Sequence, residues 1–157
     1  KMNSLEDPRI IQKLYEASQA GVEIDLIIRG VCRLIPGKEN LSENIRVYSV
    51  IGRFLEHSRI FYFHHGGEHI YALGSADWMH RNLDNRVKAV LKIEKPELKK
   101  YLQFLLSIYL KDNQQRWVLD SEGNYHRVEK KKGERKISTH KVLMNHTADS
   151  IDPIPIA

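Results

Sequence analysis

Apolar side chains recur at helical spacing in the first twenty residues of the chain. Ser4 or Asp7 can cap a helix here, and Pro8 lies near its first turn, where the missing N–H costs nothing. Apolar positions continue at this spacing as far as Ala20, and Gly21 ends the helix. The pattern therefore predicts a capped amphipathic helix close to the beginning of the chain.

Three later segments also have helical periodicity. The clearest is 96–110, which begins at Pro96 and repeats leucine and tyrosine at helical positions. Residues 45–55 carry apolar side chains on one helical face and predict a second amphipathic helix. A modest helix is predicted up to about His146, followed by a proline-bearing tail.

β-rich runs alternate with these helices. Residues 22–28 form a short apolar run interrupted only by two acidic residues, and residues 1–5 resemble the end of a strand. We therefore expect a parallel, right-handed strand–helix–strand unit, and we interpret the chain as a fragment of a longer protein. Further strands are predicted at 60–63, 69–73, 86–93, 117–119 and 125–128, with turns at 64–67 and 122–124.

The alternation of strands and helices predicts an α/β layered fold. Ligands of such folds bind outside the carboxyl ends of the strands, which places Arg29, the loop 35–44 and the turn 74–77 together. His57 comes just before a strand, so we expect it to approach this site from the end of a helix.

The composition is that of one globular domain. The chain has 157 residues, of which 41% are hydrophobic and 29% charged, and no apolar run approaches the ~20 residues that span a bilayer. Cys32 is the single cysteine, so an internal disulfide is impossible and a reducing, cytosolic setting is favoured. In its apolar context, Cys32 fits a small buried hydrophobe better than a nucleophile.

The formal net charge of +5 suits a polyanionic partner but is also common on solvated surfaces. The basic run 130–136 contains no interleaved aromatic residue, so a solvated linker is favoured over a nucleic-acid contact. His64, His65 and His69 flank a glycine turn without zinc-site spacing, and an exposed turn is the better interpretation.

Histidine and arginine at strand ends indicate chemistry on phosphate. Arg29 ends one predicted strand, and His57 precedes another together with Arg53 and Arg59. Arginine is permanently charged and binds phosphate oxygens at two points, while imidazole exchanges protons near neutral pH. These residue types therefore suit a site for a polyanionic phosphate.

The string His57-Ser58-Arg59, followed by Gly74-Ser75-Ala76-Asp77, resembles a variant of the phospholipase D superfamily pattern. That superfamily uses paired histidines on phosphoryl groups. Here arginine replaces the usual lysine, the aspartate that follows this lysine has no clear counterpart, and only one half of the pair is present. A single half cannot complete chemistry that needs two histidines.

A more specific resemblance joins residues 1–93 to the C-terminal catalytic domain of the bacterial polyphosphate kinase family that works through a phosphohistidine. The matching strings are Lys1-Met2-Asn3-Ser4-Leu5, Leu14-Tyr15, Ala17-Ser18, Ile28-Arg29-Gly30, Leu41-Ser42-Glu43-Asn44-Ile45-Arg46, Arg53-Phe54-Leu55-Glu56-His57, Ser75-Ala76-Asp77-Trp78-Met79, Arg81-Asn82-Leu83-Asp84 and Arg86. Residues 94–147 fit the final elements of the family more loosely. The resemblance implies a phospholipase D-like domain at 1–147, with a mixed, largely parallel sheet flanked by helices, and a tail at 148–157.

The same resemblance implies reversible transfer of the terminal phosphoryl group between ATP and polyphosphate. Arg29, His57 and Arg86 are then expected against the phosphates, with His57 as a catalytic proton or hydrogen-bond donor. Mg²⁺ is expected to be bound mainly through phosphates and water, without a metal site on the protein. The phosphorylated histidine belongs to a preceding domain, so this chain alone is expected to be inactive.

The implied partners are ATP or ADP, polyphosphate, upstream domains of the same polypeptide and further copies in a homo-oligomer, with no nucleic acid. A cytoplasmic location is expected, with membrane association left open. Two other classes fit the same residues: a phospholipase D-type phosphodiesterase or nuclease that pairs two copies of His57 in a homodimer, and a non-catalytic polyanion-binding module.

Overall fold

Seven strands and four helices make up the described part of the chain, which in this computed structural model comprises residues 1–149, with side chains to residue 147. The elements are α1 (Pro8–Gln19), β1 (Ile24–Ile27), β2 (Ile45–Val50), β3 (Ile60–His65), β4 (Glu68–Gly74), α2 (His80–Leu83), β5 (Val90–Ile93), α3 (Pro96–Lys111), β6 (Arg116–Leu119), β7 (Tyr125–Arg127) and α4 (Thr139–Asp149). Residues 150–157 of the expected tail at 148–157 lie outside the described residues.

Helix α1 confirms the predicted start and end. The Asp7 carboxylate accepts hydrogen bonds from the backbone N–H groups of Arg9 and Ile10 at 3.0 and 3.1 Å, so Asp7 rather than Ser4 is the cap. Gly21, just past the end, has a φ of +85°, the left-handed conformation that glycine adopts without a steric cost. Helices α3 and α4 and both hairpins also form where the sequence predicts them.

The prediction of a largely parallel sheet is wrong for most of the strand pairs. The strands form two sheets, β1-β2-β6-β7 and β3-β4-β5. Among the named strands of residues 1–149, β1 and β2 pair in parallel, whereas the other four pairs are antiparallel. Tight turns at Gly66–Gly67 and around Gly123 reverse the chain directly, and such short connections permit only antiparallel pairing.

The helix predicted over 45–55 is also wrong, because Ile45–Val50 forms strand β2 and the chain then runs as an irregular loop to residue 59. Ile45, Val47 and Ser49 are buried, while Arg46 between them is exposed, which is the two-residue alternation of a strand. β-branched side chains favour this conformation. His57 therefore lies on a loop and not at a helix end.

Residues 1–5 join the two sheets. Lys1 exchanges two backbone hydrogen bonds with Ile60 of β3, at 2.6 and 2.9 Å. Met2 forms a parallel bridge with Ile28, directly after β1, and Leu5 bridges both Cys32 and Trp78. This confirms the extended conformation and the parallel strand–helix–strand arrangement expected for the beginning of the chain.

Helix α3 packs across both sheets. Its Leu102 lies in one core cluster with Ile60, Tyr71 and Ile93 of the second sheet. Its Tyr109 lies in another cluster with Ile27 and Val50 of the first sheet. Burying one large apolar side chain contributes about 1.5–3 kcal/mol, so α3 holds the two sheets in a fixed relation.

Two segments lie elsewhere than expected. The loop 35–44 does not accompany Arg29: the N–H of Ile24 donates to Asn44 O at 2.9 Å, which places the end of this loop at the amino ends of β1 and β2. The strand predicted over 86–93 begins only at Val90.

Within the described residues, no helix is both long and apolar enough to cross a membrane.

Candidate functional site

The imidazole of His57 lies against the guanidinium group of Arg59. Nη1 of Arg59 is 3.0 Å from Nδ1 of His57, and Nη2 is 2.9 Å from Nε2. Nη1 also donates to the backbone oxygen of His57 at 2.7 Å. A neutral imidazole has one acceptor nitrogen, so one of the two ring contacts can be a hydrogen bond at a time. His57 is exposed, whereas the Arg59 side chain is only 10% exposed.

Arg59 is in turn fixed by Asp77, which follows the Gly74–Ser75 turn. Its Nε and Nη2 donate to the two carboxylate oxygens of Asp77 at 3.1 and 2.8 Å, a two-point ion pair. Burial opposes ionisation of Asp77, but hydrogen bonds from Arg59 and from the backbone of Asn3 and Ser4 outweigh it and lower the pKa of the carboxyl group. Asp77 therefore supplies in space the carboxylate partner for which the sequence pattern offered no counterpart.

Asn3 connects this pair to Arg29. The N–H of Asn3 donates to Asp77 Oδ1 at 2.7 Å, and its side-chain oxygen accepts from Arg29 Nε at 2.8 Å. Within residues 1–147, the two Nη nitrogens of Arg29 make no hydrogen bond, so their N–H groups are available to a ligand. The structure thus links Arg29 and His57 through one continuous series of contacts.

An ion pair between the buried side chain of Lys1 and the half-buried Glu56 lies beside Arg29 and fixes the loop just before His57. Lys1 Nζ contacts Glu56 and donates to Ser58 O at 3.2 Å. Lys1 and Glu56 line a small cavity together with Arg29 and Tyr109. Burial lowers the pKa of the Lys1 amine in spite of the Glu56 charge. For Glu56, burial acts in the opposite sense, but hydrogen bonds from Lys1, Tyr109 and Ser58 outweigh it and lower its pKa to about 2.

The start of the same loop is held by α4. The N–H of Phe54 donates to Nδ1 of the buried His140 at 3.2 Å. Gly52 allows this close approach, because a Cβ at that position would lie 2.5 Å from the same ring nitrogen. Contacts with His140 and Lys1 therefore position the loop from 52 to 59 that carries His57.

Arg86, the third expected phosphate contact, is not brought into contact with His57 or Arg29. It is exposed in the segment after α2 and makes no hydrogen bond or ion pair with any residue of 1–147. The segment is nevertheless tied to the turn that leads to Asp77, since the Ala89 N–H donates to Ser75 Oγ at 3.2 Å.

The carboxylates of the site do not offer a ready magnesium cage, because Glu56 and Asp77 are already bound by Lys1 and Arg59. Elsewhere in residues 1–147, Asp7, His80 and Asp84 place potential ligand atoms within 4.8 Å of one another. There, however, Arg9 Nη2 already bridges the two carboxylates at 3.0 and 2.7 Å. The carboxylates of both groups are thus already engaged by cationic side chains of the protein itself.

The remaining candidates take ordinary positions. His64 and His69 face each other across the β3–β4 hairpin, where their exposed rings stack at 4.9 Å. Cys32 is half-buried and packs against the main core, and burial raises the pKa of its thiol, which disfavours the nucleophilic thiolate.

Sequence reasoning missed the roles of Asn3, Glu56 and Asp77. Each occurs in a string that resembles the polyphosphate kinase family, and that membership was the available signal. Their contacts join positions far apart in the chain, such as the 74 residues between Asn3 and Asp77, which no local pattern reveals.

Comparisons with known proteins agree with this fold. A family model described as polyphosphate kinase C-terminal domain 2 matches residues 1–139. Polyphosphate kinase of Synechocystis sp. is 65% identical over 125 residues, which are 80% of this chain and 17% of that protein. Polyphosphate kinase of Pseudomonas aeruginosa is 49% identical over 148 residues, which are 94% of this chain and 21% of that protein.

The crystal structure of polyphosphate kinase from Porphyromonas gingivalis resembles this chain with a TM-score of 0.89 and 39% identity, over 94% of this chain and 22% of that one. The fold is that of a mixed α/β domain from a phosphotransferase family. The chain belongs to the polyphosphate kinase family. It spans about a fifth of the length of the relatives it matches.

Proposed function

We propose that this chain is the C-terminal domain of a polyphosphate kinase and forms one wall of the site that transfers phosphoryl groups reversibly between ATP and polyphosphate. The observation that carries the proposal is the fixed His57–Arg59–Asp77 arrangement, joined to Arg29 through Asn3. It places an exposed imidazole and a guanidinium group with free N–H donors on a rigid base. A site that binds polyanionic phosphates and transfers a phosphoryl group needs both kinds of group.

Phosphoryl transfer depends mainly on positioning and on neutralising charge at the phosphate oxygens. Arg29 can donate its free N–H groups to such oxygens, and a charged donor makes a strong hydrogen bond. Arg86, exposed and unpaired within residues 1–147, is free to swing onto the same phosphates, and we retain it as the third contact.

His57 is proposed to serve the bridging oxygen. Both ring nitrogens of His57 face Arg59, so the exposed ring is proposed to turn away from Arg59 when substrate binds and then to donate its N–H proton to the substrate. In the forward direction the bond between the γ-phosphorus and the bridging oxygen breaks, and that oxygen leaves with ADP. A donor at this oxygen stabilises its developing charge, and in the reverse direction His57 accepts the proton again.

The nucleophile is proposed to be a histidine of a preceding domain, in accord with the resemblance to the phosphohistidine family. Mg²⁺ enters with the nucleotide as part of the substrate. The domain is taken as residues 1–147, in a homo-oligomeric enzyme without nucleic-acid partners, and the single Cys32 supports a cytoplasmic location.

Labelled ATP with magnesium tests this division of roles. We expect the 157-residue chain to fold and to form no acid-labile phosphoprotein, while the full-length enzyme forms one. Stable phosphorylation of His57 in the isolated chain would instead make this residue a nucleophile.

The two other classes are distinguished on the same preparation. Hydrolysis of a generic phosphodiester that is lost in His57→Ala would favour a phospholipase D-type enzyme. Salt-sensitive DNA binding that ATP does not displace would favour a polyanion-binding module.

A further inference from the structure

The tip of the β3–β4 hairpin carries two histidines that the proposed phosphate chemistry does not use. His64 of β3 and His69 of β4 are directly opposite each other in the antiparallel register. Strand β3 begins directly after Arg59 and rises about 3.3 Å per residue, so the pair lies roughly 16 Å along the strand from the candidate site. The two histidines are therefore a separate feature of the surface.

The turn determines how closely their side chains approach. The glycines of Gly66–Gly67 have φ values of +56° and +85°, which define a two-residue turn whose flanking residues, His65 and Glu68, form a hydrogen-bonded pair. The next pair, His64 and His69, is then of the non-hydrogen-bonded kind, in which Cα atoms are about 4.5 Å apart and side chains are closer. Accordingly, the two imidazole rings are nearly parallel, with their centroids 4.9 Å apart.

Tyr62 determines which nitrogen of His69 is free for a ligand. Its hydroxyl oxygen is 2.8 Å from Nδ1 of His69. A histidine that binds a metal through one ring nitrogen donates its other N–H to an oxygen, and a phenolic oxygen can accept it. Within residues 1–147, Nε2 of His69 and both ring nitrogens of His64 make no hydrogen bond, so each ring offers a nitrogen.

The donor atoms on this face of the hairpin indicate a class of ion. Alternation along the strands places His64 and His69 on one face with Tyr62 and Tyr71, and none of these carries a carboxylate. Imidazole nitrogen suits zinc, nickel and copper, whereas magnesium and calcium prefer oxygen ligands. The ammonium group of Lys99 reaches this end of the hairpin, but it donates to the backbone oxygen of His69 at 3.3 Å and leaves the rings free.

The separation of the rings also suits one shared ion. Zinc binds imidazole nitrogen at about 2.0–2.1 Å, so two nitrogens in a tetrahedral site lie about 3.4 Å apart. The rings of His64 and His69 are exposed, and a small rotation of each brings two ring nitrogens to this separation from centroids 4.9 Å apart.

We propose that His64 and His69 together chelate one Zn²⁺ ion, or a related divalent ion such as Ni²⁺ or Cu²⁺, with Tyr62 as the oxygen that orients His69 and water at the remaining positions. Both ligands stand on strands that are already paired, so little freedom is lost when the second one binds. The bound ion links β3 to β4 just before the turn. The proposal does not depend on phosphoryl transfer. No zinc motif announces the site in the sequence, because strand pairing brings its ligands together.

Zinc titration of the metal-free 157-residue chain tests the site. Calorimetry should show one tight site per chain, and His64→Gln and His69→Gln should each weaken binding at least tenfold, since loss of an orienting neighbour alone costs about 10–100-fold. The matched control is His65→Gln, one position along the same strand on the opposite face, which should bind zinc like the wild type. Equal weakening in the control, or none in the other two variants, would overturn the proposal.

Unchanged folding of these variants is checked without zinc. All three histidines are exposed, so each variant should melt like the wild type in the absence of metal. With zinc in excess, the melting temperatures of the wild type and of His65→Gln should rise, because the ion binds only the folded hairpin. A rise of equal size in His64→Gln would contradict the site.

Imidazole nitrogen NMR locates the ion directly. One equivalent of zinc should shift Nε2 of His69 and one ring nitrogen of His64, while the ring of His65 stays unchanged. Tyr62→Phe removes the orienting oxygen and should weaken binding roughly tenfold, and an unchanged affinity would contradict the role given to Tyr62. Zinc that shifts other histidines and leaves this pair unchanged would overturn the proposal.

A zinc-linked dimer is the alternative arrangement, with one histidine supplied by each of two chains. Size-exclusion chromatography should show the same oligomeric state with and without zinc. A dimer that forms only with zinc and is lost in His64→Gln would overturn the proposal, because the two ligands would then belong to different hairpins.

Discussion

Arg59 and Asp77 form a two-point ion pair directly beneath His57, with donor–acceptor distances of 3.1 and 2.8 Å and side chains 10% and 6% exposed. The pair holds the Arg59 side chain in one position, and the imidazole of His57 lies against its guanidinium group. Because both partners are nearly buried, each depends on the other for its charge to be tolerated.

Replacing Asp77 should destabilise the fold, because the nearly buried charge of Arg59 needs its counter-charge. Asp77→Asn keeps the shape of the side chain but leaves Arg59 without its counter-charge, and we expect a loss of about 3 kcal/mol in the free energy of unfolding. The matched control is Asp25→Asn, which breaks the exposed ion pair with Arg46 and should cost at most about 1 kcal/mol. Urea unfolding of both variants measures the difference, and equal losses would mean that the buried pair has no special role.

Arg29→Ala should weaken substrate use in the full-length enzyme without unfolding it. Loss of a charged contact to phosphate costs on the order of 1.5–3 kcal/mol, which is roughly tenfold to a hundredfold in kcat/KM. Arg135→Ala, at an exposed arginine of the basic run, is the control and should behave like the wild type. Wild-type kinetics in a folded Arg29→Ala enzyme would remove Arg29 from the site.

Substitution of Arg86 should change phosphate binding without changing the stability of the fold. Since its side chain is exposed and has no partner within residues 1–147, Arg86→Ala should change the free energy of unfolding by less than about 0.5 kcal/mol. The proposed phosphate contact nevertheless predicts a higher KM for ATP or polyphosphate. Steady-state kinetics and thermal unfolding on the same sample check both statements, and an unchanged KM would confine the phosphate contacts to Arg29 and His57.

The Lys1–Glu56 pair should make stability depend on pH. The pKa of Glu56 is lowered to about 2 from its usual 4.5, so its ionised form stabilises the fold above pH 4.5, and this contribution disappears as the pH falls through 2. Glu56→Gln should therefore be less stable than the wild type by on the order of 2–3 kcal/mol near pH 6, and the gap should close towards pH 2. A gap that is constant across this range would show that the Glu56 charge does not stabilise the fold.

Local patterns predicted what depends on local physics. Helices α1 and α3 have several turns of consistent periodicity and proline at their first turns, so both were predicted. Residues 45–55 differ from the prediction because their apolar positions also fit one face of a helix, whereas pairing with β1 and β6, together with the β-branched Ile45, Val47 and Val50, selects the strand.

The site shows the same division. Arg29 and His57 were selected by residue type, position and resemblance, and their roles in binding and transfer stay predictions. The residues that hold them could not be selected in this way, because Asn3 and Asp77 meet only after two sheets have come together. Long-range pairing also decides that the loop 35–44 lies away from the site.

The role of His57 as a proton donor is tested by the turnover number for polyphosphate synthesis by the full-length enzyme with His57→Gln, beside the matched control His65→Gln on the exposed hairpin. Glutamine can hydrogen-bond but cannot release a proton near neutral pH, so we expect turnover to fall roughly 10²–10⁴-fold at an unchanged melting temperature, with normal turnover in the control. Near-normal synthesis by His57→Gln would contradict a proton donor at this position and reduce His57 to a hydrogen-bonding contact.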